Sequence, residues 1–270
     1  MKANVPRQDI VSALRRARKY RHLCEDTLDR IAEWALERHP GSREALKAAK
    51  RKLHQIYGAY LEGTDHEQID ALVRDLDPNA SDAQIRSTCE DVLGGHASTA
   101  ERLGIMADLY PALLAEIGSP RRLLDLCCGL NPFSLPWMGL DPATSYRAID
   151  IDQSLVSSIN RFLEALGRPA TAECRDVVTR GLSDESDAVL LLKSVPCLEQ
   201  QEKGCATRIL QGLRARQLVV SFPTGSLGGR ARGMAQHYEG LANRMAEDLG
   251  TSIRSLTYPG ETFFVLTRSH

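Results

Sequence analysis

The run Leu123-Leu124-Asp125-Leu126-Cys127-Cys128-Gly129-Leu130-Asn131-Pro132 carries an acid near the end of an apolar stretch and then breaks at a glycine. A second run, Tyr146-Arg147-Ala148-Ile149-Asp150-Ile151-Asp152, also ends in acid. An open α/β sheet grips a nucleoside with such a pair. The glycine lets the backbone approach the ligand, and the second carboxylate takes the ribose hydroxyls. No Gly-x-Gly-x-x-Gly follows the first run, so a pyrophosphate cradle is not favoured. A shorter turn with one glycine suits S-adenosylmethionine, which has no phosphate to hold. The plain alternative for both segments is a buried strand and turn. Asp150, at a strand end, is the ribose candidate; Asp152 is its rival and is expected to face solvent.

These residues need a sheet to hold them. From 121 onward the pattern alternates strand, turn and helix. Candidate strands are 121–127, 146–151, 171–175, 187–193, 217–222, 252–258 and 261–267, with helices over 153–166, 199–213 and 234–249. The alternation predicts an α/β fold with a largely parallel, doubly wound sheet. The last two strands, joined by Pro259-Gly260, read as a terminal hairpin, the mark of a Rossmann-like methyltransferase sheet. Before 121 the pattern is helical. One helix is expected over 8–21, a second over 25–38 ending at His39-Pro40-Gly41, and a third starting at Ser42. Together these form a three-helix bundle over 8–61. Shorter helices are expected near 66–76 and 81–93. Ser98 and Glu101 read as a capping box that starts a helix running to about Ile117. The boundary is placed at 95: residues 1–95 form an all-helical extension and 96–270 the methyltransferase domain.

The net charge of −1 hides an asymmetry: residues 1–60 hold 14 Lys+Arg against 7 Asp+Glu, so the rest of the chain is acidic. A basic head on an acidic body points to a polyanion partner, or else to a solvated helical face. Lys47, Lys50, Arg51 and Lys52 point away from the apolar stripe of the third helix. There is no run of about 18 apolar residues, so no membrane span is expected, and no apolar signal core opens the chain. The seven cysteines include no Cys-x-x-Cys pair and no metal-type spacing. Reduced thiols in a cytoplasmic protein, without a metal, are the expectation.

Three stretches, taken together, resemble one family: His96-Ala97-Ser98-Thr99-Ala100-Glu101-Arg102-Leu103, Asp125 to Pro132, and Ser221-Phe222-Pro223-Thr224-Gly225-Ser226-Leu227-Gly228-Gly229-Arg230-Ala231-Arg232-Gly233-Met234. They are similar to the aminoglycoside-resistance 16S rRNA (guanine-1405, N7) methyltransferases. Lys19-Tyr20-Arg21 and Leu53 to Tyr60 extend the likeness over nearly the whole chain. The resemblance implies S-adenosylmethionine (SAM) as methyl donor, the 30S ribosomal subunit as substrate, a head that docks on 16S rRNA, and a monomer. It also implies resistance to drugs such as kanamycin and gentamicin. By position, Arg102 meets the SAM carboxylate, Asp125 and Gly129 form the cofactor turn, and Asp150 holds the ribose. Asp176 takes the adenine amino group, and Glu199 matches a pocket glutamate. Ser194, Cys197 and Gly225 depart from the family pattern, which has larger apolar residues at the first two positions and often a basic residue at the third.

Guanine N7 carries a free lone pair, so attack on a sulfonium methyl needs no general base and no catalytic residue is assigned. Positioning can supply roughly 7–11 kcal/mol of such a barrier. A-form RNA hides its major groove, so the base must be extruded or the helix distorted. Residues 224–233 read as a mobile basic loop that assists, with Arg230 and Arg232 on RNA and Met234 over the base. The basic head makes separate docking and cofactor modules the expectation: deleting 1–60 should leave SAM binding intact. Two rivals remain. One is a cytosine-C5 RNA methyltransferase using Cys197 as nucleophile. The other is a catalytically inactive rRNA-binding or ribosome-assembly factor on the same fold.

Overall fold

The computed structural model describes residues 6–61, 65–77, 79–179, 181–182, 185–224 and 229–269. Three helices open the chain: α1 (Arg7–Arg15), α2 (Glu25–Arg38) and α3 (Ser42–Leu61). Ile10, Val11 and Leu14 of α1, Leu28, Ile31, Ala32 and Ala35 of α2, and Ala45, Ala49, Leu53 and Ile56 of α3 make one buried cluster. The spacing of three and four residues puts each set on one helical face. α1 stops at Arg15, well short of the expected 21, and the chain turns through 16–22. The turn lets Tyr20 bury its ring while its hydroxyl donates to the Lys50 carbonyl at 3.1 Å.

Two shorter helices follow, α4 (His66–Arg74) and α5 (Asp82–Gly94). Asp65 caps the first, and a Ser81–Gln84 capping box starts the second. Ile69, Val73, Cys89, Val92 and Leu93 share a core with Phe133 and Phe162, so these helices pack on the sheet. The proposed boundary at 95 therefore does not coincide with a change of core. The expected helix from 98 to 117 is broken into α6 (Ala97–Ala100), a 3-10 turn, and α7 (Met106–Ile117). His96, not Ser98, is the cap: its Nδ1 accepts from the Ser98 amide at 3.2 Å.

The sheet has seven strands in the order β3-β2-β1-β4-β5-β7-β6. The strands are β1 (Arg122–Leu126), β2 (Ser145–Asp150), β3 (Ala172–Cys174), β4 (Glu185–Leu191), β5 (Arg214–Pro223), β6 (Thr251–Tyr258) and β7 (Glu261–Arg268). β1 to β5 run parallel; β7 is antiparallel to both β5 and β6, making the expected terminal hairpin. α8 (Leu135–Met138) follows β1, and α9 (Gln153–Ala165) crosses from β2 to β3. α10 (Val195–Gln201), α11 (Cys205–Gln211) and α12 (Gly229–Leu249) cover the opposite face. The single helix expected over 199–213 is two, because Gly204 sits at φ 78° between them. Side chains alternate along each strand. Leu123, Ala188, Leu190 and Val219 face α7 and α9, while Leu124, Leu126, Val189, Leu191 and Val220 face α11 and α12.

Sheet order reverses between β1 and β4, so the loops that leave these two strands part and open a crevice at their carboxyl ends. The described residues contain no helix long and apolar enough to cross a membrane.

Candidate cofactor and RNA site

The crevice is lined from the loops that leave the parallel strands. β1 supplies Cys127, Cys128, Gly129 and Asn131; β2 supplies Asp150 and Asp152; β3 supplies Asp176; β4 supplies Lys193 and Ser194. Three backbones here take the left-handed region: Cys127 at φ 50°, Gly129 at 50° and Lys193 at 54°. Two of the three are not glycine, so the fold stores strain at this rim. A Cβ added at Gly129 would meet no protein atom within 4 Å; the position faces open crevice.

Asp150 ends β2 half-buried. Its Oδ2 accepts from the Gly129 amide at 2.9 Å, and its Oδ1 from the Ile151 and Asp152 amides at 2.8 and 3.1 Å. Burial raises its pKa, against the pull of these amides. The carboxylate is thereby fixed in orientation beside the glycine turn. Asp152 does not face solvent as expected. It is buried, its Oδ1 caps α9, and its Oδ2 pairs with His66 Nε2 at 3.2 Å.

Asp125 is also buried, and it lies behind the turn rather than in the crevice lining. It accepts from Asn131 Nδ2 at 2.7 Å and the Tyr146 hydroxyl at 2.6 Å. Burial pushes its pKa up to about 7. Its part is to hold the turn, because β1 alternation turns its side chain toward the same face as Leu123. Asn131 passes the contact on, accepting from Arg102 Nη1 at 3.1 Å.

Arg102 lines the crevice at 3% exposure. Its fork is taken by Glu261 of β7, through Nε at 2.6 Å and Nη2 at 2.7 Å. Its bidentate partner is thus a protein carboxylate rather than a ligand one. Two of the five guanidinium N–H groups remain. Lys193 stands beside it, with Nζ 2.7 Å from Glu101 Oε2 and 3.0 Å from the Ser98 carbonyl.

The far wall comes from the head. Leu23, Tyr57 and His66 all line the crevice. Leu23 bridges to Asp152, and the Cys24 amide donates to the Ile151 carbonyl at 2.7 Å. Asp176, 1% exposed, is held from α2: Thr27 Oγ1 donates at 2.9 Å, Arg30 Nε at 3.0 Å and Arg30 Nη2 at 2.8 Å, all to Oδ2. Among the described residues its Oδ1 accepts from the Val178 amide alone, which leaves one lone pair. Arg30 Nη2 also reaches Gln201 at 2.7 Å. Residues of the head and of the sheet domain therefore line the same crevice and bond each other across it. Leu23, Arg30, Tyr57, His66, Lys193 and Glu261 were not found from sequence; only the positions of the two lysine- and arginine-rich helices hinted at the head's role.

Glu199 is a correction. Its carboxylate accepts from the Gly204 and Ala206 amides at 2.7 and 3.1 Å and so starts α11, outside the crevice. Lys52 is another. It is half-buried, donates to the Gln200 carbonyl at 2.9 Å and stands over the Trp34 ring, tying α3 to α10. Lys47, Lys50 and Arg51 are exposed on α3. The 16–19 turn joins them, since Lys19 Nζ lies 3.5 Å from His54 Nδ1. Of the expected loop 224–233, residues 225–228, including Gly225, lie outside the described residues, and 229–233 begin α12 instead. Arg230 and Arg232 are in that helix, their side chains outside what the structure describes; Met234 is 41% exposed.

Asp150 and Asp176 share the crevice lining with Ile151, Val177 and Leu198, and with the buried Arg102 and Lys193. His66 Nδ1 and Arg175 Nε line the crevice, buried and without a hydrogen-bond partner. That set fits a nucleoside bearing an amino-acid tail: an apolar slot for the base, acceptors for hydroxyls and an amine, and cations for a carboxylate. No group of three or more His, Cys, Asp or Glu among the described residues could hold a metal.

A parallel sheet with an antiparallel β7, opening on such a crevice, defines a SAM-dependent methyltransferase. A family model described as ribosomal RNA methyltransferase (FmrO) matches residues 16–264. The 16S rRNA (guanine(1405)-N(7))-methyltransferase of Micromonospora echinospora is 34% identical over 263 residues, 96% of each chain. That of Serratia marcescens is 35% identical, covering 85% of this chain and 86% of its own. The solved structure of 16S rRNA methyltransferase RmtF with S-adenosyl-L-homocysteine matches at TM-score 0.82 and 33% identity over all of both chains. The 16S rRNA methylase RmtB matches at 0.79 and 30%, over 98% of this chain and 99% of its own. The chain belongs to the FmrO family of ribosomal RNA methyltransferases. Cys197 does line the crevice, while the relatives named above are guanine-N7 methyltransferases.

Proposed function

We propose that this enzyme transfers a methyl group from SAM to N7 of guanine 1405 in 16S rRNA, within the 30S subunit, and so confers resistance to aminoglycosides such as kanamycin and gentamicin. Bound SAM supplies an electrophilic methyl on a sulfonium. The observation that carries the reading is Asp150, oriented by three amides beside the open Gly129 turn, in a chain of this family. Asp150 would accept the ribose hydroxyls. Asp176 would take the adenine amine at Oδ1, whose lone pair is spare. Arg102 and Lys193 would face the methionine carboxylate, Arg102 with the two N–H groups that Glu261 and Asn131 leave. A purine N7 needs alignment and exclusion of water rather than a base. The strained rim and the buried Arg102–Glu261 pair give the rigidity that alignment requires.

The exposed cations of residues 15–19 and of α3 support the head as the rRNA-docking surface. Phosphate contacts from such residues position a protein without reading sequence. The test is methylation of purified 30S subunits with labelled SAM, mapping the modified nucleotide by borohydride–aniline cleavage and reverse transcription. A stop at guanine 1405 is expected. Label at another nucleotide, or none on active subunits, overturns the proposal.

A further inference from the structure

Seven cysteines serve no step above, and four of them are what a reduced chain would leave inert. Burial raises the thiol pKa of Cys128 and Cys205, that of Cys89 to about 12, and that of Cys127. Cys24 differs in its surroundings. It is the N-cap of α2, where the helix dipole favours negative charge. Its Sγ lies 3.1 Å from Thr27 Oγ1. A second cavity, apart from the cofactor crevice, is lined by Cys24 together with Cys174, Arg15, Arg21 and His22. The two cysteines converge on one carbonyl: the Cys24 amide donates to Ile151 O at 2.7 Å and Cys174 Sγ at 3.4 Å. The Cys24 pKa is lowered, with the neighbouring Cys174 thiol as the first cause.

We infer that Cys24 and Cys174 are an oxidisable thiol pair, which a hydroperoxide converts to a disulfide joining the head to the end of β3. Cys24 is the attacking thiol and Cys174 the resolving one. The Cys24 thiolate sulfur attacks a peroxide oxygen; the O–O bond breaks, hydroxide leaves and takes a proton, and Cys24 is a sulfenic acid. Cys174 sulfur then attacks Cys24 Sγ and loses its thiol proton; the S–O bond breaks and water departs. Two thiols are oxidised by two electrons, and one hydrogen peroxide is reduced to two waters. A dithiol reverses the bond. The bond lies three residues before Thr27 and two before Asp176, so it clamps the contact that supports the cofactor wall.

The environment is what makes the pair reactive rather than structural. The cavity is open, it holds two arginines and a histidine, and the attacking sulfur sits on a helix N-terminus. Glu25, Asp26 and Asp29 also line it. They face the same cavity and weaken the positive field without removing the cap.

The experiment treats the reduced full-length chain with about one equivalent of hydrogen peroxide, then alkylates free thiols and maps non-reduced peptides by mass. Two of the seven thiols are expected to disappear, in one linked peptide pair carrying residues 24 and 174. The thermal midpoint should rise by several degrees and return with dithiothreitol. Cys174→Ser should stop at a Cys24 sulfenic acid, trapped by dimedone. Cys24→Ser keeps a good helix cap and should give neither product. Oxidation that falls first on other cysteines overturns the inference. So does a bond between two molecules, or a Cys174→Ser protein in which Cys24 remains a free thiol.

Discussion

Replacing Arg30 by methionine tests whether the head builds the cofactor site. The substitution keeps the apolar stem and removes both donors to Asp176 Oδ2, at 3.0 and 2.8 Å. Asp176 is 1% exposed, and among the described residues Thr27 and the Val178 amide are then its remaining side-chain partners. Removing one partner of a buried pair costs about 3–5 kcal/mol, because the other charge is left uncompensated. The Thr27 bond, about 1 kcal/mol, cannot offset that. Asp176→Asn leaves Arg30 unpaired, but Arg30 is 22% exposed and still bonds Gln201, so about 1–2 kcal/mol is expected. The double variant should be less destabilised than the sum by about 2 kcal/mol or more, measured by urea unfolding. The second readout is selectivity. S-adenosylhomocysteine and S-inosylhomocysteine differ at the amine that Asp176 would accept. One charge-assisted hydrogen bond is worth about 1.5–3 kcal/mol, roughly 10- to 150-fold in affinity. Titration calorimetry should find that preference in the parent and its loss, to within about threefold, in Arg30→Met. A folded Arg30→Met protein with parental stability and undiminished preference refutes the reasoning.

Asp150→Ala should weaken S-adenosylhomocysteine binding by about 100-fold or more, since two ribose hydroxyls lose a charged acceptor; calorimetry within twofold of the parent rejects the assignment. Asp125, with a folded pKa of about 7 and an unfolded value near 3.9, keeps a proton that the unfolded chain has lost between those pH values. Stability should therefore fall by about 4 kcal/mol as pH rises from about 4 to about 7 and be level above. Urea unfolding of Asp125→Asn should lack that fall, and a parent–variant gap independent of pH contradicts it. Deleting residues 1–60 removes Leu23 and Tyr57 from the crevice lining and Thr27 and Arg30 from Asp176, so S-adenosylhomocysteine binding should be lost along with 30S methylation; a folded truncation binding within threefold of the parent counts against one shared site. Reversing Lys47, Lys50 and Arg51 to Glu should weaken 30S binding at least tenfold and reduce the salt slope by about 2. Cofactor affinity should hold within twofold, and unchanged kanamycin resistance at matched expression means that rRNA is gripped elsewhere.

The strands were legible to within two or three residues because their signal is local. β-branched and leucine-rich runs end in turns, and the alternation of strand and helix leaves few topologies. The helix ends were less so. α1 ends at Arg15 because Tyr20 and Leu23 must turn inward to meet α3 and Asp152, contacts that hydrophobic spacing does not carry. The split at Gly204 depends on a left-handed backbone, and the break after Ala100 on a histidine cap. Each is a choice of backbone conformation that tertiary packing makes.

The same distinction divides the site. Gly129, Asp150 and Asp176 stand at strand ends, and a strand end can be read from one segment. Glu199 was misread because an acid opening a helix pattern has two uses, and the one it has here needs the Gly204 turn to bring two amides back to it. The head is the harder case. On α3 the exposed residues Lys47, Lys50, Arg51 and His54 follow helical spacing, and charge alone marks them as a surface. Thr27 and Arg30 follow the same spacing on α2, and nothing in their residue types separates a solvent face from a cofactor wall. What separates them is Asp176, 146 residues beyond Arg30. A basic helix has one charge pattern but two faces, so composition identified the polyanion surface and missed the arginine that the cofactor domain claims for itself.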